Sequence, residues 1–217
     1  MAPPSSPPSR AAGAAAARRL VEAYALDALG AWAAAEPRAA RVLQALLFDE
    51  DERVCCRAAE ALGRVAAVRA RETPEPAREM VRRAFWLMND ESGGILWYGP
   101  QLVGAVLANV PALCAEYGDV LASFLEDEPF RAGTRWALWR IAGTAPDVLA
   151  RATGALTASL RDPDPRVRGH AALALHAAGR EVAELAGDGA RFTAFDHRTG
   201  ELRELTVAEA AGLPGAA

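Results

Sequence analysis

One block of this sequence collects groups that could do more than pack: Asn89-Asp90-Glu91-Ser92-Gly93-Gly94-Ile95-Leu96-Trp97-Tyr98-Gly99-Pro100-Gln101. Two adjacent carboxylates precede two glycines, and two aromatics follow. Read as a helix start, Gly93 and Gly94 each forgo up to about 1 kcal/mol of helix stability relative to alanine. Pro100, about two turns further on, then removes the hydrogen bond to the Leu96 carbonyl and bends the helix. Features that break a local rule tend to sit where function competes with folding. The block therefore predicts side-chain-free amides at a helix N-terminus, a freed carbonyl, the carboxylates of Asp90 and Glu91, and Trp97 and Tyr98 nearby. Such amides suit a small anionic ligand or a carboxylate of a partner. The same residues also read as close packing, with the glycines letting the preceding helix and its Phe85 and Trp86 cross tightly.

A second group lies further along. Trp136 and Trp139 are three residues apart and share a helix face, with Arg135 and Arg140 beside them. Aromatics and arginine together have the composition of an interface centre; filling of space left by Gly93, Gly94, Gly99, Gly104 and Gly133 is the competing reading. The candidate binding set is thus Asn89, Asp90, Glu91, Ser92, Gly93, Gly94, Trp97, Tyr98, Gln101, Trp136, Trp139 and Arg140, with no catalytic residue among them.

Other chemistry lacks its residues. His170, His176 and His197 have no His or Cys partner at helical spacing, and Cys55-Cys56 lacks metal-site spacing, so no metal and no cofactor is expected. No dinucleotide, P-loop or serine-hydrolase string occurs. The 24 cationic residues are all Arg and the net charge is −4. That balance makes nucleic acid an improbable partner and disfavours an anionic membrane surface. No apolar run reaches the roughly 18 residues of a membrane helix, and Met1 to Ala17 lacks the basic start and Leu-rich centre of a signal peptide. Three cysteines without framework spacing fit the reducing cytoplasm.

The elements that must position these residues are legible in an internal repeat. Asp51-Glu52-Arg53-Val54 with Ala58-Ala59-Glu60-Ala61-Leu62 matches Asp164-Pro165-Arg166-Val167 with Ala171-Ala172-Leu173-Ala174-Leu175 without a gap. Weaker copies run from Ser92 to Val103 and from Asp127 to Leu138. In each, the polar residue has N-cap chemistry, and Pro165 falls in a first turn that tolerates it. Residues three, seven and eleven places on form one helical stripe. Pro37 to Phe48, Glu75 to Met88, Pro111 to Leu125 and Pro146 to Leu160 supply a preceding helix for each copy. Arg18 to Ala35 reads as a capping helix after a disordered tail, 1–17. At the other end, Phe192 to Phe195 and Leu202 to Val207 flank a Gly-containing turn and predict a β-hairpin, followed by a Thr206/Glu209 capping box.

The unit Asp-x-x-Val-x-x-x-Ala-Ala-x-Ala-Leu resembles the HEAT-like repeat named after phycobilisome lyases, over roughly residues 37 to 179. That resemblance, and a period near 40, imply an all-α fold: a right-handed α-solenoid of about four HEAT-like helix pairs over 18–187, with the hairpin and a short helix closing it over 188–217. The block at Asn89 also resembles a small prokaryotic HEAT-like family whose signature is approximately N-D-E-S-G-G-x-x-W-x-x-P-E. Gln101 stands where that family has Glu, which removes a titratable carboxylate from the position. The resemblance implies a non-catalytic scaffold or adaptor binding another protein in the groove around repeats two and three. A chromophore- or small-molecule-handling lyase and, more remotely, a HEAT-like DNA glycosylase are the alternatives.

Overall fold

The computed structural model describes residues 10–89 and 94–212, so Asp90, Glu91, Ser92 and Gly93 lie outside the described residues. Among those described, the chain is mostly helical: α1 (Arg10–Glu22), α2 (Leu26–Ala35), α3 (Ala39–Ala45), α4 (Glu52–Ala70), α5 (Glu75–Met88), α6 (Gly99–Asn109), α7 (Cys114–Ala122), α8 (Arg131–Ile141), α9 (Pro146–Ala158), α10 (Pro165–Ala177) and α11 (Val207–Ala210). One antiparallel pair, β1 (Arg191–Asp196) and β2 (Glu201–Thr206), precedes α11.

The two strongest repeat copies start as their sequences require. The Asp51 carboxylate accepts the Arg53 amide at 2.9 Å, and that of Asp164 accepts the Arg166 amide at 2.8 Å. Each cap satisfies an amide that a helix start leaves unpaired. Helices α2, α4, α6, α8 and α10 then pack one on the next in chain order, and α3, α5, α7 and α9 pack beside this row. The stripe anchors Leu62, Val103, Leu138 and Leu175 are all buried within it, each contributing about 1.5–3 kcal/mol. A Cβ on Gly104 would fall 2.8 Å from the Ala137 Cβ. Helices α6 and α8 therefore meet nearly backbone to backbone, which is the packing reason for small residues along the row.

Three expectations need correction. The tail expected over 1–17 is helical from Arg10, because Gly13, Ala17 and Val21, four apart, give α1 a buried stripe against α3 and α4. The single capping helix is two: Tyr24 takes a left-handed φ of 50° and breaks it. Pro100 does not bend a helix. Helix α6 begins at Gly99, after the non-helical segment 94–98, which places Pro100 in the first turn. A helix begun at Ser92 would hold that proline in its interior at a cost of about 3 kcal/mol, whereas in the first turn its missing amide costs nothing.

The hairpin pairs Arg191 with Thr206 through Asp196 with Glu201, and Gly200 closes its turn at φ 76°. Thr206 and Glu209 form the expected capping box on α11. Rather than covering only the last helix pair, the hairpin lies across the even-numbered row. Phe192 packs on His170 of α10, Phe195 on Trp136 of α8, and the turn reaches Arg57 of α4 and Tyr24.

Candidate functional site

The residues singled out in the sequence fall into two separate places. Trp136, Trp139 and Arg140 lie beneath or beside the hairpin. Trp136 is 2% exposed, its indole Nε1 donating to the Phe195 carbonyl at 2.8 Å. Trp139 is half-buried, with its ring 5.1 Å from that of His197. Arg140 donates twice, at 2.7 and 3.1 Å, to the carboxylate of Glu60, which is 1% exposed. The expected interface centre at Trp136, Trp139 and Arg140 is therefore an internal contact. Glu60 and Gly63 occupy the same frame positions in the first copy, and both are buried too, since α4 is enclosed by helices and hairpin.

Trp97, Tyr98 and Gln101 do reach a cleft. It has a volume of about 640 Å³ and runs along the edge where four interhelical turns meet. Phe48, Asp49 and Glu52 come from the turn before α4, and Trp97, Tyr98 and Gln101 from the start of α6. Glu128, Arg131 and Gly133 come from the start of α8, and Asp164 and Arg166 from that of α10. Trp97 and Phe48 are 58% and 57% exposed, unusual for large apolar side chains. The segment carrying Trp97 is fixed at both ends: the Leu96 amide donates to the Leu87 carbonyl, and the Gly99 amide to the Leu96 carbonyl. Asn89 ends α5, its side-chain amide donating to the Phe85 carbonyl at 2.8 Å; Gly94 is exposed and non-helical. Neither lines the cleft.

The cleft's electrostatics run against the small anionic ligand expected from the sequence. Four carboxylates, Asp49, Glu52, Glu128 and Asp164, line it against two guanidiniums. Both cations are engaged: Arg166 with Glu52 at 3.2 Å, and Arg131 with Glu128 at 2.9 Å and with Asp162. Accepting the Asp51 amide, with Arg18 nearby, holds the Asp49 carboxyl below its ordinary range. Burial, and next the charge of Glu52, push the Tyr98 phenol up, so it stays protonated. Gln101 Oε1 is buried and accepts no hydrogen bond.

Nucleophiles and bases are tied up elsewhere. Burial pushes the Cys55 thiol up to about 11 and Cys56 well above its ordinary value. His170 donates from Nδ1 to the Arg166 carbonyl, 2.8 Å away, and packs on Phe192. Burial pushes both His170 and His197 down to about 4. Among the described residues, no group of three or more His, Cys, Asp or Glu is placed to hold a metal ion, and no single helix is long and apolar enough to cross a membrane.

Sequence reading missed Phe48, Glu52, Glu128, Arg131 and Arg166. Their signal was available in the repeat frame: all sit at or next to interhelical turns, which a serial stack brings to one edge. No family model, no curated protein and no solved structure matches the chain.

Proposed function

We propose that this chain is a non-catalytic interaction protein, a right-handed α-solenoid of four HEAT-like helix pairs that holds a partner polypeptide in the cleft at its turn edge. One observation carries the reading: Trp97 and Phe48, both more than half exposed, line the same cleft, contributed by different turns. Exposed large aromatics gathered at a concavity are the composition of a binding hot spot. The face around Trp136, favoured by the sequence, is a poorer choice because the chain's own hairpin lies on it. The packing roles of Cys55, Cys56, Cys114, His170 and His197 speak for binding over catalysis. The surplus of carboxylates speaks against DNA, and three free buried thiols suit a reducing compartment such as the cytoplasm.

The volume also falls in the range of small-molecule sites, which keeps a ligand-handling role as the second reading. The two separate in one experiment. Protein purified from its own host is examined by native mass spectrometry, beside a Trp97→Ala/Phe48→Ala variant. A retained polypeptide that the variant loses supports the interaction reading; a retained small molecule with no polypeptide supports the other.

A further inference from the structure

We propose that one water molecule is a built-in part of this fold, bound in a small second cavity and donating to both Gln101 Oε1 and His170 Nε2, so that it joins the cleft floor to the hairpin's seat. The cavity measures about 20 Å³. Gln101 of α6, His170 of α10, Cys56 of α4, Trp136 of α8 and Thr193 of β1 all line it, so it lies where the helical row meets the hairpin. Gln101 lines the outer cleft as well.

Volume and hydrogen-bonding demand both select water. The space exceeds the roughly 10–15 Å³ that one water needs and falls short of room for anything larger. Gln101 Oε1 is buried and accepts nothing from the chain, a state that costs stability until a donor reaches it. His170 Nδ1 donates to the Arg166 carbonyl at 2.8 Å, which in a neutral ring leaves Nε2 as an acceptor; burial keeps that ring neutral. Two acceptors cannot bond each other, whereas a water carries the two donors they need. Its oxygen in turn can accept from the Cys56 thiol or the Thr193 hydroxyl. A Cβ on Gly133 would fall 3.0 Å from Gln101 Oε1 and 3.1 Å from Nε2, so this glycine lets the amide lie close against α8. An anion would meet Glu52 beside the two acceptors, and among the described residues no group of three or more His, Cys, Asp or Glu is placed to hold a metal ion.

The test is a high-resolution crystal structure of the full chain, joined in solution by water–protein cross-relaxation read at the Gln101 side-chain amide and the His170 ring protons. One water peak should lie about 2.7–3.2 Å from both Gln101 Oε1 and His170 Nε2, and the cross-relaxation should carry the sign of a long-lived water. Gln101→Met, similar in length but without an acceptor, should lose that signal and lower Tm by about 2–4 °C. The unaltered protein decides the matter on its own if this variant fails to fold. Absence of both peak and signal, a Gln101 amide bonded directly to His170, or density at the metal–ligand distance of about 2.0–2.3 Å would each overturn the inference. None of these results bears on what the outer cleft holds.

Discussion

Tyr24 and His197, 173 residues apart in the chain, are joined by a hydrogen bond of 2.5 Å from the Tyr24 hydroxyl to the His197 carbonyl oxygen. The left-handed backbone at Tyr24 turns its ring toward the hairpin, where it meets Phe195 edge-on at 6.1 Å. Beside it, Arg57 donates to the Gly200 carbonyl at 2.6 Å, to the Glu201 carboxylate at 2.6 Å and to the Glu22 carbonyl. The C-terminal hairpin thereby ties the last helices of the row to the first.

Breaking this clasp should lower stability in proportion to the bonds lost. Tyr24→Phe removes one net hydrogen bond, about 1 kcal/mol, and should lower Tm by about 2–4 °C in calorimetry. Arg57→Ala deletes a buried cation with three partners and should cost about 3 kcal/mol. Equal melting of all three proteins would show that the hairpin docks without supporting the helices.

Glycine substitutions should differ in sign. A Cβ on Gly169 would lie 2.2 Å from the Phe192 ring, so Gly169→Ala must displace the hairpin's seat and should destabilise by about 1–3 kcal/mol. Gly154, exposed within α9, has nothing within 4 Å of that position. Gly154→Ala should instead stabilise by up to about 1 kcal/mol. Urea midpoints of the two variants decide the matter.

The ion pair between buried Glu60 of α4 and half-buried Arg140 of α8 should matter more than any pair on the surface. Glu60→Ala leaves Arg140, mostly enclosed, without its carboxylate and should cost about 3 kcal/mol. Arg191→Ala breaks the exposed, solvent-screened pair with Glu204 and should leave the melting temperature essentially unchanged. A similar cost for both would mean that water reaches Glu60.

Acid should loosen the clasp. His170 and His197 are held down to about 4 by burial, against an ordinary value of 6.5, with Arg166 and Arg135 facing the first and Arg140 and Arg198 the second. Between those values the unfolded chain binds more protons than the folded one, so stability is full above about pH 6.5 and declines as pH falls toward 4. Denaturation at pH 7 and pH 5 should differ by up to about 4 kcal/mol, about 2 for each histidine, and His197→Asn should remove about half of that difference. A flat profile between these pH values would contradict the neutral burial of both rings.

Much of the fold was legible because it rests on local signals. Helix α5 spans the Glu75–Met88 stretch expected ahead of its repeat copy, and both aspartate caps and the Thr206/Glu209 box stand where their residue types put them. Tyr24 carries no such signal, since the contacts its ring makes come from residues distant in sequence, Arg57 of α4 and the hairpin. Trp136 reads as an interface residue in the sequence because its cover, Phe195, lies 59 residues downstream. The cleft was half legible: Trp97, Tyr98 and Gln101 share a contiguous, pattern-breaking block, while Phe48, Glu52 and Glu128 join them only once the turns are stacked. The sequence points to an anionic ligand through helix amides in that block, whereas the carboxylates that line the cleft, Asp49, Glu52, Glu128 and Asp164, come from turns distant in sequence.

The most direct test is quantitative partner capture by three forms of the protein: unaltered, Trp97→Ala/Phe48→Ala in the cleft, and Arg203→Ala/Leu205→Ala on the hairpin. Capture should fall at least about tenfold in the cleft variant, the loss of two interface anchors, and stay unchanged in the hairpin variant, with melting temperatures that show all three folded. Undiminished capture by the cleft variant, or loss confined to the hairpin variant, would contradict a partner site at the turn edge.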